Sequence, residues 1–315
     1  MSTLFTLQLA LPLIFVLWFG IAPPRSLLGF WIQLLAIATG LTAIGLTGLW
    51  LWPPWWAPYV FGVVLLLVTL TGLRRRSPFA SVLPLTVGAW TVAALFVGLG
   101  GVALDQAARA LAGRAPPPGK LVELQFPLAQ GTYLIVNGGS DIRVNAHMKT
   151  LDASIARFHA WRGQSYGIDI VKINRFGLRA SGLQPAEAGA YLIYGTKVLA
   201  PCSGEAVFAI DGLPDMKIPE TDRVHMAGNH LILRCGDADV LLGHLQPGSL
   251  QVPVGARVRV GDWVGAVGNS GNTDEPHLHI HAQQPATTRE PMSGNPLPVS
   301  FSSRVLVRND RVSIP

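Results

Sequence analysis

Charge is scarce in the first third of this 315-residue chain. Before Arg114 the only charged side chains are Arg25, Arg74, Arg75, Arg76, Asp105 and Arg109, and that stretch holds no histidine or cysteine. A water-exposed domain of such length needs a polar surface, so an ordinary soluble domain is excluded there. Cysteine is limited to Cys202 and Cys235, and neither has a CxxC partner, which argues against a thiolate zinc site. The chain also lacks a basic cluster interleaved with aromatics. Its net charge of +6 and pI near 9.7 therefore point to no nucleic-acid partner, and suit a surface beside a membrane or an anionic polymer.

What is present is apolar and arranged in runs. Half of all residues are hydrophobic, and the mean hydropathy is +0.38. Runs near Leu4–Ala22, Leu27–Trp52, Pro58–Leu73 and Val82–Leu104 are each long enough to cross a bilayer, so about four transmembrane helices are expected. The first has no basic n-region and reads as a retained span and not a signal peptide. Trp50, Trp52, Trp55 and Trp56 gather around Pro53-Pro54 as an interfacial belt. No ionisable residue interrupts a span at mid-depth, so the segment reads as an anchor and not a transport pathway. The Arg74–Arg76 and Arg25 loops are placed in the cytoplasm by their charge, which leaves everything after the last span outside. Lipid is thus an expected partner, with the C-terminal domain extracytoplasmic.

This organisation predicts a transmembrane domain over 1–113, a proline-rich linker over 114–120 and an extracytoplasmic antiparallel β domain over 121–315. Asp105–Gly113 reads as a helix leaving the bilayer. Gly131–Val136 runs into Asn137-Gly138-Gly139 as a hairpin signal. Further strands are expected at Ile168–Val171, Lys197–Ala200, Ala206–Phe208, Asn229–Arg234 and Val240–Leu245, with at most a short helix near Pro185–Gly189. Cys202 and Cys235 lie near the start of one strand and the end of another. Outside the cytoplasm they are able to pair, and two buried free thiols are the alternative.

The chemistry gathers in Gly268-Asn-Ser-Gly-Asn-Thr-Asp-Glu-Pro-His277-Leu-His279-Ile-His281. Period-two alternation places His277, His279 and His281 on one face of a strand, where one imidazole is able to bind a metal while a neighbour acts as acid or base. The Gly/Asn loop before them is expected to bring backbone N–H groups close.

With Leu242-Gly243-His244-Leu245, this stretch resembles the lysostaphin/LytM-type zinc metallopeptidases of bacterial peptidoglycan, over roughly Gly195–Gln283. The resemblance implies a compact antiparallel β domain that uses Zn2+ to cut peptide cross-links in peptidoglycan. It assigns His279 to the metal, and His244 and His277 to catalysis. The family's remaining ligands come from an H-x-G-x-D run. Here that run is Ser165-Tyr-Gly-Ile-Asp169, so Asp169 matches as a ligand but a serine stands where the histidine belongs. His147 and His159 are the upstream substitutes. His147 is preferred, because it follows the expected hairpin and so continues a strand, whereas the segment around His159 has no strand signal. His225, His230 and His281 are read as bystanders or supporting groups. A metal-free module that binds cell wall or activates another hydrolase is the competing expectation, and cleavage of a secreted protein is a third.

Overall fold

The computed structural model describes residues 6–75 and 79–315, so Leu4 and Arg76 lie outside the described residues. The chain divides into two units between Ala112 and Gly113.

The first unit is helical: a π-helical turn Thr6–Ala10 leading into Leu11–Ile21, then Leu27–Thr47, Ala57–Arg75 and Val87–Ala112. Among the described residues three helices, not four, are long and apolar enough to cross a membrane: Leu27–Thr47, Ala57–Arg74 and Val87–Ala112. The segment Thr6–Ile21 spans about 24 Å at 1.5 Å per residue, short of the roughly 30 Å hydrocarbon core. The last helix starts later than expected, because Pro84 keeps Leu83 out of helical geometry and Thr86 Oγ1 accepts from Ala89 N at its start. It then runs on through Asp105, whose i,i+4 pair with Arg109 supports one continuous helix in place of a separate one. Phe19, Phe30, Ile37, Leu65 and Phe96 form a narrow inner core. Outside it Ile14, Leu66, Leu67, Val97 and Leu104 are exposed, and only 28%, 22% and 11% of the three candidate spans is buried. An apolar exterior of this kind is compatible with a membrane anchor. Trp50 is buried and donates to Gly45 O, so of the four clustered tryptophans it serves packing.

The second unit is mostly antiparallel β. Its strands are β1 (Val122–Leu124), β2 (Gly131–Asn137), β3 (Ile168–Ile173), β4 (Lys197–Leu199), β5 (Gly204–Ile210), β6 (Asn229–Cys235), β7 (Ala238–Leu245), β8 (Arg257–Val258), β9 (Trp263–Ala266), β10 (Leu278–Gln283), β11 (Pro296–Leu297), β12 (Val299–Phe301) and β13 (Arg311–Ile314). The main sheet runs β13-β2-β3-β10-β7-β6-β5-β8, with β11 beside β10; β4 pairs β9, and β1 pairs β12 in parallel. Strands β7 and β10 lie at its centre and are buried at every position. Leu278, Ile280, Val240, Leu242, Ile170 and Leu231 fill the core on one face. The alternate residues of β10, His279, His281 and Gln283, therefore occupy the other face.

Two local expectations are corrected. Asn137-Gly138-Gly139 closes no hairpin: β2 pairs with β3, reached only after two 3₁₀ helices, Ala146–Leu151 and Ala156–Tyr166. His147 consequently sits on a helical turn and not on a strand, with Asn145 Oδ1 accepting from His147 N as the N-cap. The short helix expected near Pro185–Gly189 lies at Ala188–Ala190. Cys202 and Cys235 form a disulfide, with Cα atoms 6.0 Å apart.

Candidate metal centre

Antiparallel pairing of β3 with β10 sets Asp169 directly opposite His279. Asp169 Oδ1 accepts from His279 Nδ1 at 2.8 Å, and Asp169 Oδ2 lies 2.9 Å from His147 Nε2. The ligand atoms of His147, Asp169 and His279 all fall within 4.8 Å of one another. His159, the other upstream candidate, is exposed and turned to Ala153 O at 3.0 Å, away from this group. Ser165 is buried, and its one hydroxyl proton is shared between Arg162 O at 2.6 Å and Thr150 Oγ1 at 2.8 Å. Thr150 Oγ1 in turn donates to His147 O, so Ser165 ties down the turn that carries His147.

Several residues that pattern reading passed over complete the setting. Asn137 Nδ2 donates to Asp169 Oδ2 at 2.8 Å, and Arg308 donates to Asn137 Oδ1 at 2.7 Å. Asn145 Nδ2 bridges Gly139 O and Gly167 O, joining the His147 turn to the start of β3. Gly167 is needed because a Cβ there would lie 2.6 Å from His279 Cε1. The asparagines look like turn residues in the sequence, so no signal marked them.

Two further imidazoles border the group. His277 Nε2 is 3.6 Å from Asp169 Oδ1, and the His244 ring centroid is 4.6 Å from that of His277. His277 Nδ1 donates to Glu275 O at 2.9 Å, and His244 Nδ1 to Ser270 O at 2.8 Å. Both tautomers are thereby fixed with Nε2 as the lone-pair nitrogen. The loop 268–276 orients both rings through these carbonyls, while its Asn269 N is spent on Asp215 Oδ1. His244 holds its place at a φ of 61°, a left-handed conformation that His tolerates better than most residues. Its backbone N–H is bonded to Ala227 O and its carbonyl accepts from Gly268 N. Of the remaining histidines, His225 pairs with Asp222 on the surface, His230 is buried against Phe208, and His281 is fully buried behind His279.

The electrostatics suit a cation. Burial alone would raise the Asp169 carboxyl, but the neighbouring His147 and His277, with hydrogen bonds from His147 and His279, hold it well below the usual range. Burial pushes His279 down to about 4, against the opposing pull of Asp169. Burial likewise pushes His244 well below its ordinary value. An ionised carboxylate and neutral imidazoles are the states in which these groups ligate metals, and one oxygen with two ring nitrogens is a common catalytic zinc set.

The model for peptidase family M23 matches residues 190–291. The β unit carries a peptidase family M23 domain. That match includes His244, His277 and His279 but begins downstream of His147 and Asp169. Among similar proteins, Endolysin 2638A of Staphylococcus phage 2638A is 39% identical over 67 residues, 21% of this chain and 14% of that protein. The chain thus spans about a seventh of that relative's length. A zinc-containing peptidase from Vibrio cholerae is 23% identical, covering 30% of this chain and 24% of its own, with a TM-score of 0.23. The catalytic domain of the antimicrobial peptidase lysostaphin from Staphylococcus simulans is 23% identical, covering 40% and 71%, with a TM-score of 0.26.

Proposed function

We propose that this chain is a membrane-anchored zinc metallopeptidase that hydrolyses peptide bonds in peptidoglycan. The observation that carries the reading is the set around Asp169: two imidazoles on its oxygens and two more, His244 and His277, beside them, each held through Nδ1 by a main-chain carbonyl. His147, Asp169 and His279 would hold the ion. Bound there, zinc supplies a Lewis acid that lowers the pKa of water and polarises a carbonyl. The remaining two histidines move protons. Each is pinned through Nδ1–H to a main-chain carbonyl, so its Nε2 takes a proton from the attacking water and returns it to the leaving amine. Two such rings side by side give two acceptors for one proton, and the ring that takes it from the water is the one that delivers it to the amine. The substrate class rests on the M23 domain and on the endolysin match.

Charge supports an extracytoplasmic β unit. The basic run beginning at Arg74 precedes the last candidate span, which under the positive-inside rule favours the outside for whatever follows that span. The Cys202–Cys235 disulfide suits an extracytoplasmic, periplasmic setting.

The test uses the full chain in detergent. Purified peptidoglycan should release new amino groups, and metal analysis should find zinc, with both lost to a chelator. A chain that takes up no zinc and leaves peptidoglycan intact would instead be a metal-free module that binds cell wall or activates another hydrolase.

A further inference from the structure

Behind His279, the same face of β10 continues with two more buried polar side chains, His281 and Gln283. His279 Nε2 lies 2.9 Å from His281 Nδ1. Gln283 Nε2 donates to Pro291 O at 2.6 Å, which fixes the amide so that its remaining atom, Oε1, is an acceptor. His281 Nε2 and Gln283 Oε1 are both buried without a hydrogen-bond partner. His281 and Gln283 are next-but-one residues of β10, so their side chains are neighbours on that face. Two orphaned buried atoms on adjacent same-face residues of a central strand are unusual.

The tautomers explain the pair. A carboxylate oxygen only accepts, so the 2.8 Å contact with Asp169 requires the proton of neutral His279 on Nδ1. His279 Nε2 must then accept from His281 Nδ1–H, and His281 Nε2 is a bare lone pair. That nitrogen and Gln283 Oε1 are both acceptors, so no bond forms between them. With Nδ1 of His279 given to a metal, the order reverses. The His279 proton resides on Nε2 and donates to His281 Nδ1; the His281 proton moves to Nε2 and donates to Gln283 Oε1. Both rings stay neutral, two protons change nitrogen, and both orphans are satisfied.

We propose that His281 and Gln283 are positioning residues, a hydrogen-bonded chain along β10 that sets the tautomer of His279 and so presents its Nδ1 to a divalent cation. The inference rests on the reading that His147, Asp169 and His279 hold zinc. Outer partners of this kind typically govern metal affinity by about 10–100-fold.

The experiment is zinc affinity by chelator competition on the full chain in detergent, without reference to activity. His281→Phe and Gln283→Leu should each weaken zinc by about 10–100-fold, and Gln283→Glu, which keeps an acceptor, should restore most of the affinity. Nitrogen NMR of histidine-labelled wild type supplies a measurement that no folding defect disturbs. His279 and His281 should both be Nδ1–H tautomers without zinc and both Nε2–H tautomers with it. If His147→Ala loses zinc while His281→Phe and Gln283→Leu bind within twofold of wild type, the relay is wrong and the metal site stands. An Nδ1–H tautomer on His281 in the zinc-loaded chain overturns it equally. Wild type that binds no zinc overturns the metal site and the relay with it.

Discussion

Ser165 and His147 are coupled through a single side chain: Thr150 Oγ1 touches Ser165 Oγ at 2.8 Å and donates to His147 O at 2.8 Å. Ser165 therefore has a use in this fold. It fastens the 3₁₀ turn from which His147 reaches Asp169. Ser165→Ala should cost about 1 kcal/mol of stability through the lost buried hydrogen bonds, and should weaken zinc by about tenfold as the turn loosens. Chelator competition and denaturant titration measure the two effects. Unchanged zinc affinity would mean that His147 is held without this link.

Substitutions at the site should separate into two classes. His147→Ala, Asp169→Ala and His279→Ala are expected to lose zinc and activity together. His244→Ala and His277→Ala should keep most of the zinc while activity on peptidoglycan falls by about 10² or more, the scale for loss of an acid/base group. His159→Ala should be silent, because its ring faces Ala153 O on the surface. Zinc loss from His277→Ala would show that ligand and proton-transfer roles are exchanged.

The metal-free chain should lose stability in mild acid. His279 is pushed down to about 4, and His244 and His281 lie well below their ordinary values, each chiefly by burial. An unfolded histidine takes up its proton near 6.5, so below that pH the unfolded state binds more protons and stability falls. The slope is about 1.4 kcal/mol per pH unit for each such histidine. His279 alone then accounts for roughly 3 kcal/mol between pH 6.5 and 4. Asp169, depressed in the fold, contributes stability that is present above its unfolded pKa and disappears only at still lower pH. Hydrogen exchange along β10 across this range is the measurement; protection independent of pH would contradict the burial argument.

The disulfide closes a sequence separation of 33 residues between the approach to β5 and the end of β6. In the chain-entropy account its reduction should cost about 3–4 kcal/mol. Cys202→Ala with Cys235→Ala should lower the unfolding midpoint accordingly while zinc uptake persists, since neither cysteine adjoins Asp169.

Protease added to intact spheroplasts should degrade the β unit while a cytoplasmic marker survives. Protection of the β unit would place it on the other side and remove peptidoglycan as a substrate.

The sequence by itself determined the division into an apolar helical part and a β part, because hydropathy and residue periodicity are local properties of the chain. The Gly268–His281 stretch, Leu242–Leu245 and Asp169 were legible for the same reason, as short motifs with fixed spacing. Span lengths were less so: the sequence predicts the last span over Val82–Leu104 with a helix leaving the bilayer after it, and the fold makes one helix of Val87–Ala112, with Asp105 and Arg109 paired i,i+4 inside it. Only the tertiary structure decided that His147 and not His159 stands beside Asp169. That choice depends on two 3₁₀ helices between β2 and β3, which the Asn-Gly-Gly signal concealed by imitating a tight hairpin. The fold likewise decided the tautomers of His244 and His277 and the alignment of His281 with Gln283. A tautomer is set by the atom opposite a ring nitrogen, and those atoms, Ser270 O, Glu275 O and the partners along β10, are brought into place only when distant segments pack together.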